Sequence, residues 1–114
     1  MRIDRLTIAV TNMAAMVAFY DAVFDGGFDR IEGTDFHLGS LAGFSVLLCP
    51  NEIAEVVAEK NRIQLRFVVD DVDALVARAE ASGGGAYGER VESDGTIGWG
   101  VADPDGNSIE LTSG

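Results

Sequence analysis

Apolar and polar residues alternate from Ile3 to Val10, with Leu6, Ile8 and Val10 on one face and Arg5, Thr7 and Ala9 on the other. A period of two predicts a half-buried strand. Asn12 suits a helix N-cap, and Met13, Met16, Val17, Tyr20 and Phe24 follow at helical spacing. An amphipathic helix is predicted there, ended by Gly26 and Gly27, because glycine enters the left-handed cap conformation freely. Short strands are predicted over Phe28–Glu32, Phe36–Leu38 and Phe44–Leu48, and Pro50 closes the block.

The same order then recurs. Leu65, Phe67 and Val69 alternate with Gln64, Arg66 and Val68. Asp71 suits an N-cap, Asp73 adds negative charge to the first turn, and Val72, Leu75, Val76 and Ala79 carry a helical stripe up to Gly83–Gly85. Strands are predicted over Ala86–Val91, Ile97–Ala102 and Asn107–Thr112, with the tight-turn sequence Asp103-Pro104-Asp105-Gly106 between the last two. Sliding the chain on itself by 59 residues places Leu6 on Leu65, Ile8 on Phe67, Val10 on Val69 and Asn12 on Asp71. Near the end an offset of 63 places Ser45 on Ser108 and Val46 on Ile109.

The expected architecture is therefore α+β: two tandem βαβββ modules, 1–50 and 62–114, forming a curved mixed sheet with helices on its outer face. Residues 51–61 form the linker, where Ile53, Val56 and Val57 suit a short helix. Each module is expected to bury its sheet under its own helix, which leaves the other sheet face concave and free to bind.

Composition narrows the function. At 114 residues with 47% hydrophobic content, the chain is one domain with a real core. No apolar run approaches the roughly 18 residues of a membrane span, and no signal-peptide pattern opens the chain. Cys49 is the only cysteine, so a cytoplasmic protein is expected. A net charge of −11 argues against nucleic acid and anionic membranes as partners. It fits either simple solubility or a preference for cationic small molecules. No Gly-x-Ser-x-Gly elbow supports nucleophilic catalysis, and the glycine run at 83–85 ends a helix instead of opening a phosphate-binding one.

The segments "IAVTNMAAMVAFYDAVF", "FVVDDVDALVARAEASGG" and "DPDGNSIEL", set in this doubled pattern, resemble the vicinal oxygen chelate superfamily of glyoxalases, extradiol dioxygenases, fosfomycin-resistance enzymes and bleomycin-resistance proteins. The resemblance covers essentially the whole chain. It implies a divalent metal held in the curved sheet, by ligands from the first and last strands of each module. Carried over by motif, those positions are Arg5, Leu47, Gln64 and Glu110. Strand parity independently puts Arg5, Gln64 and Glu110 opposite the apolar stripes.

The donor set departs from the enzymes. A guanidinium offers no lone pair and leucine offers nothing, which leaves Gln64 and Glu110, fewer than the three protein ligands a catalytic metal normally takes. His37 could supply a third donor if it faced the concave side, although a lone histidine on a strand is more often structural. No catalytic metal or other cofactor is expected, with a divalent metal as the alternative. Arg5 has two open readings, a cation that pairs with Glu110 of the same or a partner chain, or a solvated rim residue. Thr7, Arg66, Ser108 and Thr112 join the concave face, and Trp99 between two glycines reads as a core ring, an aromatic wall or a mobile lid.

The leading functional expectation is a bleomycin-resistance-like protein that binds a small molecule in a concave cleft, as a homodimer and without a catalytic metal. Its ligand-binding candidates are Arg5, Thr7, His37, Gln64, Arg66, Trp99, Ser108 and Glu110, and Glu110 is the one catalytic candidate. The alternatives are a divalent-metal-dependent lyase, isomerase or dioxygenase using Gln64 and Glu110, and a silent dimerising scaffold.

Overall fold

The computed structural model describes residues 1–114. The first half runs β1 (Leu6–Val10), α1 (Met13–Phe24), β2 (Asp29–Arg30), β3 (His37–Leu41) and β4 (Phe44–Pro50). A short α2 (Asn51–Ala54) lies in the linker, where the sequence allows one. The second half repeats the order with β5 (Leu65–Val68), α3 (Val72–Ala81), β6 (Gly85–Ser93), β7 (Thr96–Ala102) and β8 (Ser108–Thr112). In each half the first strand runs parallel to the last, β1 beside β4 and β5 beside β8, and the remaining pairs are antiparallel. Parallel neighbours need a long crossover, which the helix and the two middle strands supply. The strand orders are β1-β4-β3-β2 and β5-β8-β7-β6. No ladder joins β1 to β5, so the mixed sheet comes as two four-stranded halves.

Local chemistry explains the element ends. Asn12 Oδ1 accepts the Ala15 N–H at 3.1 Å and Asp71 Oδ1 accepts the Ala74 N–H at 3.0 Å, both as predicted N-caps. The end of α1 differs from expectation. Asp25, not a glycine, takes the left-handed conformation, at φ 52°. Gly26 is there for space, since a Cβ on it would lie 2.5 Å from the Phe28 ring. The predicted strand over Phe28–Glu32 shrinks to two residues because Phe28 turns into the core and Thr34 N–H closes a turn on Ile31 O at 3.0 Å.

Packing also departs from one helix per sheet. The buried face of α1 is Met16, Phe19, Tyr20 and Val23, while Met13, Val17 and Phe24 of the predicted stripe are only partly buried. Each fully buried side chain of this kind contributes about 1.5–3 kcal/mol of gross hydrophobic stabilisation. Phe24 stacks on Phe67 of β5 at 4.6 Å, and Phe19 presses against Gly84 at the entry to β6. Val46 and Leu48 of β4 share one core cluster with these residues and with Ile109 and Leu111 of β8. The first helix thus packs on both modules.

Polar ties reinforce that junction. Tyr20 O–H donates to Asp103 Oδ2 at 2.7 Å in the interior. Asp103 also accepts from the Asn107 N–H, the Asn107 amide and the Asp105 N–H at 2.9–3.0 Å. The Thr11 N–H and hydroxyl, at the end of β1, both donate to the Asp105 carboxylate at 2.7 Å. The Asp103–Asn107 turn is therefore a clasp between the modules as well as a hairpin turn.

Candidate functional site

Register decides which side chains share a face. In the second sheet Arg66 lies directly opposite Glu110, and Glu110 opposite Gly100. Gly98 lies opposite Thr112 and also opposite Val91, and Tyr87 opposite Gly100. Side chains in register stand on the same face, so Arg66, Glu110, Tyr87 and Val91 surround two glycines. Gln64 joins them, its amide N–H donating to Ser108 Oγ at 2.8 Å. The result is an open cleft of about 490 Å³ whose floor carries no side chain at Gly98 and Gly100. A Cβ on Gly98 would touch nothing within 4 Å. The Thr112 hydroxyl is buried and bonded to the C-terminal backbone, so it contributes little to that face.

The expected concave set is only partly assembled in one chain. Gln64, Arg66, Ser108 and Glu110 come together. Thr7 stands in register with Leu47 on the first sheet and does not reach this cleft. Arg5 precedes β1, is exposed, and has no carboxylate within 4 Å, so the pair with Glu110 does not form within the chain.

One placement corrects the sequence reading. His37 lies opposite Leu48, hence on the core side under α1, in a cleft with Met13, Val17 and Asp35. The strand alternation is shifted there because β3 runs on to Leu41, which is buried with Leu48. His37 cannot complete a ligand set with Gln64 and Glu110. Trp99 lies opposite Leu111 and packs against the core, at the border of the cleft, with its indole N–H donating to Gly88 O at 3.3 Å. The ring stands where core and cleft meet, bonded to the backbone of β6.

Other contributors were not among the sequence candidates. Lys60, the only lysine, leaves the linker to donate to Ser108 Oγ at 3.2 Å and holds its ammonium 5.3 Å from the Tyr87 ring centre. Asn61 anchors that segment, its N–H donating to Asn107 Oδ1 at 2.6 Å and its amide to Ala9 O at 3.3 Å. The alternation of β6 could have singled out Tyr87. Nothing local marks Lys60, because its position depends on the linker crossing a sheet distant in sequence.

The site can offer cations at Lys60 and Arg66, a carboxylate at Glu110, an amide, a hydroxyl and an aromatic face. It does not fit a catalytic metal. The four positions the fold would use hold arginine, leucine, glutamine and glutamate, and no three His, Cys, Asp or Glu side chains cluster anywhere in the chain.

A family model described as a glyoxalase-like domain matches residues 5–112. No curated protein matches. Among solved structures, a glyoxalase-related enzyme from Fulvimarina pelagi superposes with a TM-score of 0.81 at 20% identity, over 97% of this chain and 86% of that one. A glyoxalase/bleomycin resistance protein/dioxygenase family enzyme from Burkholderia phytofirmans gives 0.76 at 24% identity, over 96% and 95%. A genomically encoded fosfomycin resistance protein from Listeria monocytogenes gives 0.80 at 19% identity, over 100% and 93%. These are likenesses of fold.

Proposed function

The chain belongs to the glyoxalase-like domain family, and on that premise we propose that it binds a small molecule on the concave face of its second sheet without a catalytic metal. The observation that carries this reading is the cleft over Gly98 and Gly100, with Gln64, Arg66, Glu110 and Tyr87 around it, in a chain whose family ligand positions include Arg5 and Leu47. Convergent polar groups beside an aromatic face suit recognition of a small polar molecule. Such a site can bind and orient, but it supplies no Lewis acid of its own.

Metal titration and a ligand screen test this together. Elemental analysis after exposure to nickel, zinc, manganese and ferrous iron is expected to find no stoichiometric uptake. One metal per chain, lost in Glu110→Ala, would overturn the metal-free reading and point to the metal-dependent lyase, isomerase or dioxygenase. A thermal-shift panel of cationic, anionic and aromatic small molecules is expected to yield a stabilising compound, worth about 2.7 kcal/mol at 100 times its Kd. Gly98→Leu should remove that shift and leave the unliganded midpoint nearly unchanged, because the new side chain enters open space.

We further infer a homodimer. Arg5 and Glu110 have no partner in their own chain, and both sheets leave one face open, so a second copy can bring the cation of one subunit to the carboxylate of the other. Sedimentation at micromolar concentration checks this, and an exclusively monomeric species would reject it.

A further inference from the structure

A second cavity, of about 360 Å³, opens between the modules. Its walls are core-side residues of the edge strands and β8, Leu6, Ile8, Leu65 and Ile109. Its mouth is the linker and the residues just after it, where Val57 and Ile63 stand 96% and 74% exposed. Lys60 and Arg62 border the same mouth. Neither has a carboxylate within 4 Å, although one residue in six of this chain is acidic.

The lining itself contains no acidic residue. The clefts over Gly98 and beside His37 each carry carboxylates, Glu89 and Glu110 in one and Asp35 and Glu52 in the other. A largely apolar chamber with two cations outside any ion pair at its entrance favours a molecule with an apolar body and an anionic end. The body gains by leaving water, and the end gains charge-assisted hydrogen bonds at the rim. A chamber of about 360 Å³ has room for a small amphiphilic molecule. We propose that this seam cavity is a binding site for an apolar monocarboxylate, of the size of octanoate or decanoate, with its carboxylate held by Arg62 and Lys60. The cavity meets the concave site at Lys60 and Ser108, but its apolar walls belong to the seam between the modules, and its argument does not rest on the proposed function.

The test is calorimetric titration of the full chain, stripped of lipid, with octanoate, octanol and octylamine. Saturable binding of octanoate at one per chain is expected, with octanol and octylamine at least about tenfold weaker. Arg62→Glu should weaken octanoate by about tenfold, because it reverses the charge at the mouth without touching the walls. Leu6→Trp fills the chamber and should abolish uptake, while Gly98→Leu should leave it unchanged. Octylamine binding as tightly as octanoate, or Arg62→Glu binding as well as the parent, overturns the proposal. So does absence of saturable binding to folded protein, the outcome expected if a second copy of the chain covers the mouth. Should Leu6→Trp fail to fold, the three-ligand comparison and Arg62→Glu still decide it.

Discussion

Asp103→Ala is expected to destabilise the fold by about 3–5 kcal/mol, a large share of the roughly 5–15 kcal/mol that holds a typical domain together. The carboxylate is 3% exposed and accepts from Tyr20 O–H, both N–H donors of Asn107 and the Asp105 N–H. Truncation leaves those donors without their acceptor, each at about 1–3 kcal/mol where water cannot enter. The midpoint of thermal unfolding should fall by about 12–20 °C. An unchanged midpoint would show that the clasp between the modules is ornamental.

The pH dependence carries the same signature. Burial first, then the neighbouring Asp103 charge, holds the Tyr20 phenol well above its ordinary value near 10. The folded chain therefore keeps a proton that the unfolded chain releases above pH 10. The stability this contributes is intact below that pH and falls by about 1.4 kcal/mol per pH unit above it. Tyr20→Phe should lose the bond to Asp103 at neutral pH yet show a shallower alkaline slope than the parent, measured by urea unfolding between pH 9 and 11. Equal slopes would mean that Tyr20 does not govern the alkaline limb.

Gly84→Ala is the second large effect, at about 3 kcal/mol or more. A Cβ there would lie 2.2 Å from Ala102 O and 2.5 Å from the Phe19 ring, and neither backbone nor a fully buried ring yields easily. Overpacking of this kind typically costs about 1–3 kcal/mol, and backbone contact puts this site at the upper end. Gly85→Ala is the control, since its Cβ would meet nothing within 4 Å. It is expected within about 0.5 kcal/mol of the parent. Equal midpoints for the two variants would remove the close-packing account of the glycine run.

How much of this could be read in advance depends on the range of the interaction. Asn12 and Asp71 act within one helical turn, and both caps form as expected. The alternation of β5 and β8 sets parity, and with it the shared face of Arg66 and Glu110. The two ends of β3 lacked such a signal. Gly39, Ser40 and Leu41 extend that strand past the predicted Leu38, and the longer ladder turns His37 to the core. Trp99 sits in a strand with glycines on either side, so only pairing with Leu111 reveals its face. Lys60 was out of reach for another reason. It meets Ser108 across 48 residues, through a linker whose path no periodicity encodes.

The position of α1 has a consequence for how the doubled pattern is to be understood. A helix supplied by the first repeat completes the interior of the second, through Phe24 on Phe67 and Tyr20 on Asp103. Severing the chain in the linker would strip one half of its roof and leave the other with an aromatic ridge in water. The repeat is a unit of shape and not a mechanical one: each half is unfinished without the other, so a change at Phe19 or Tyr20 is felt by both.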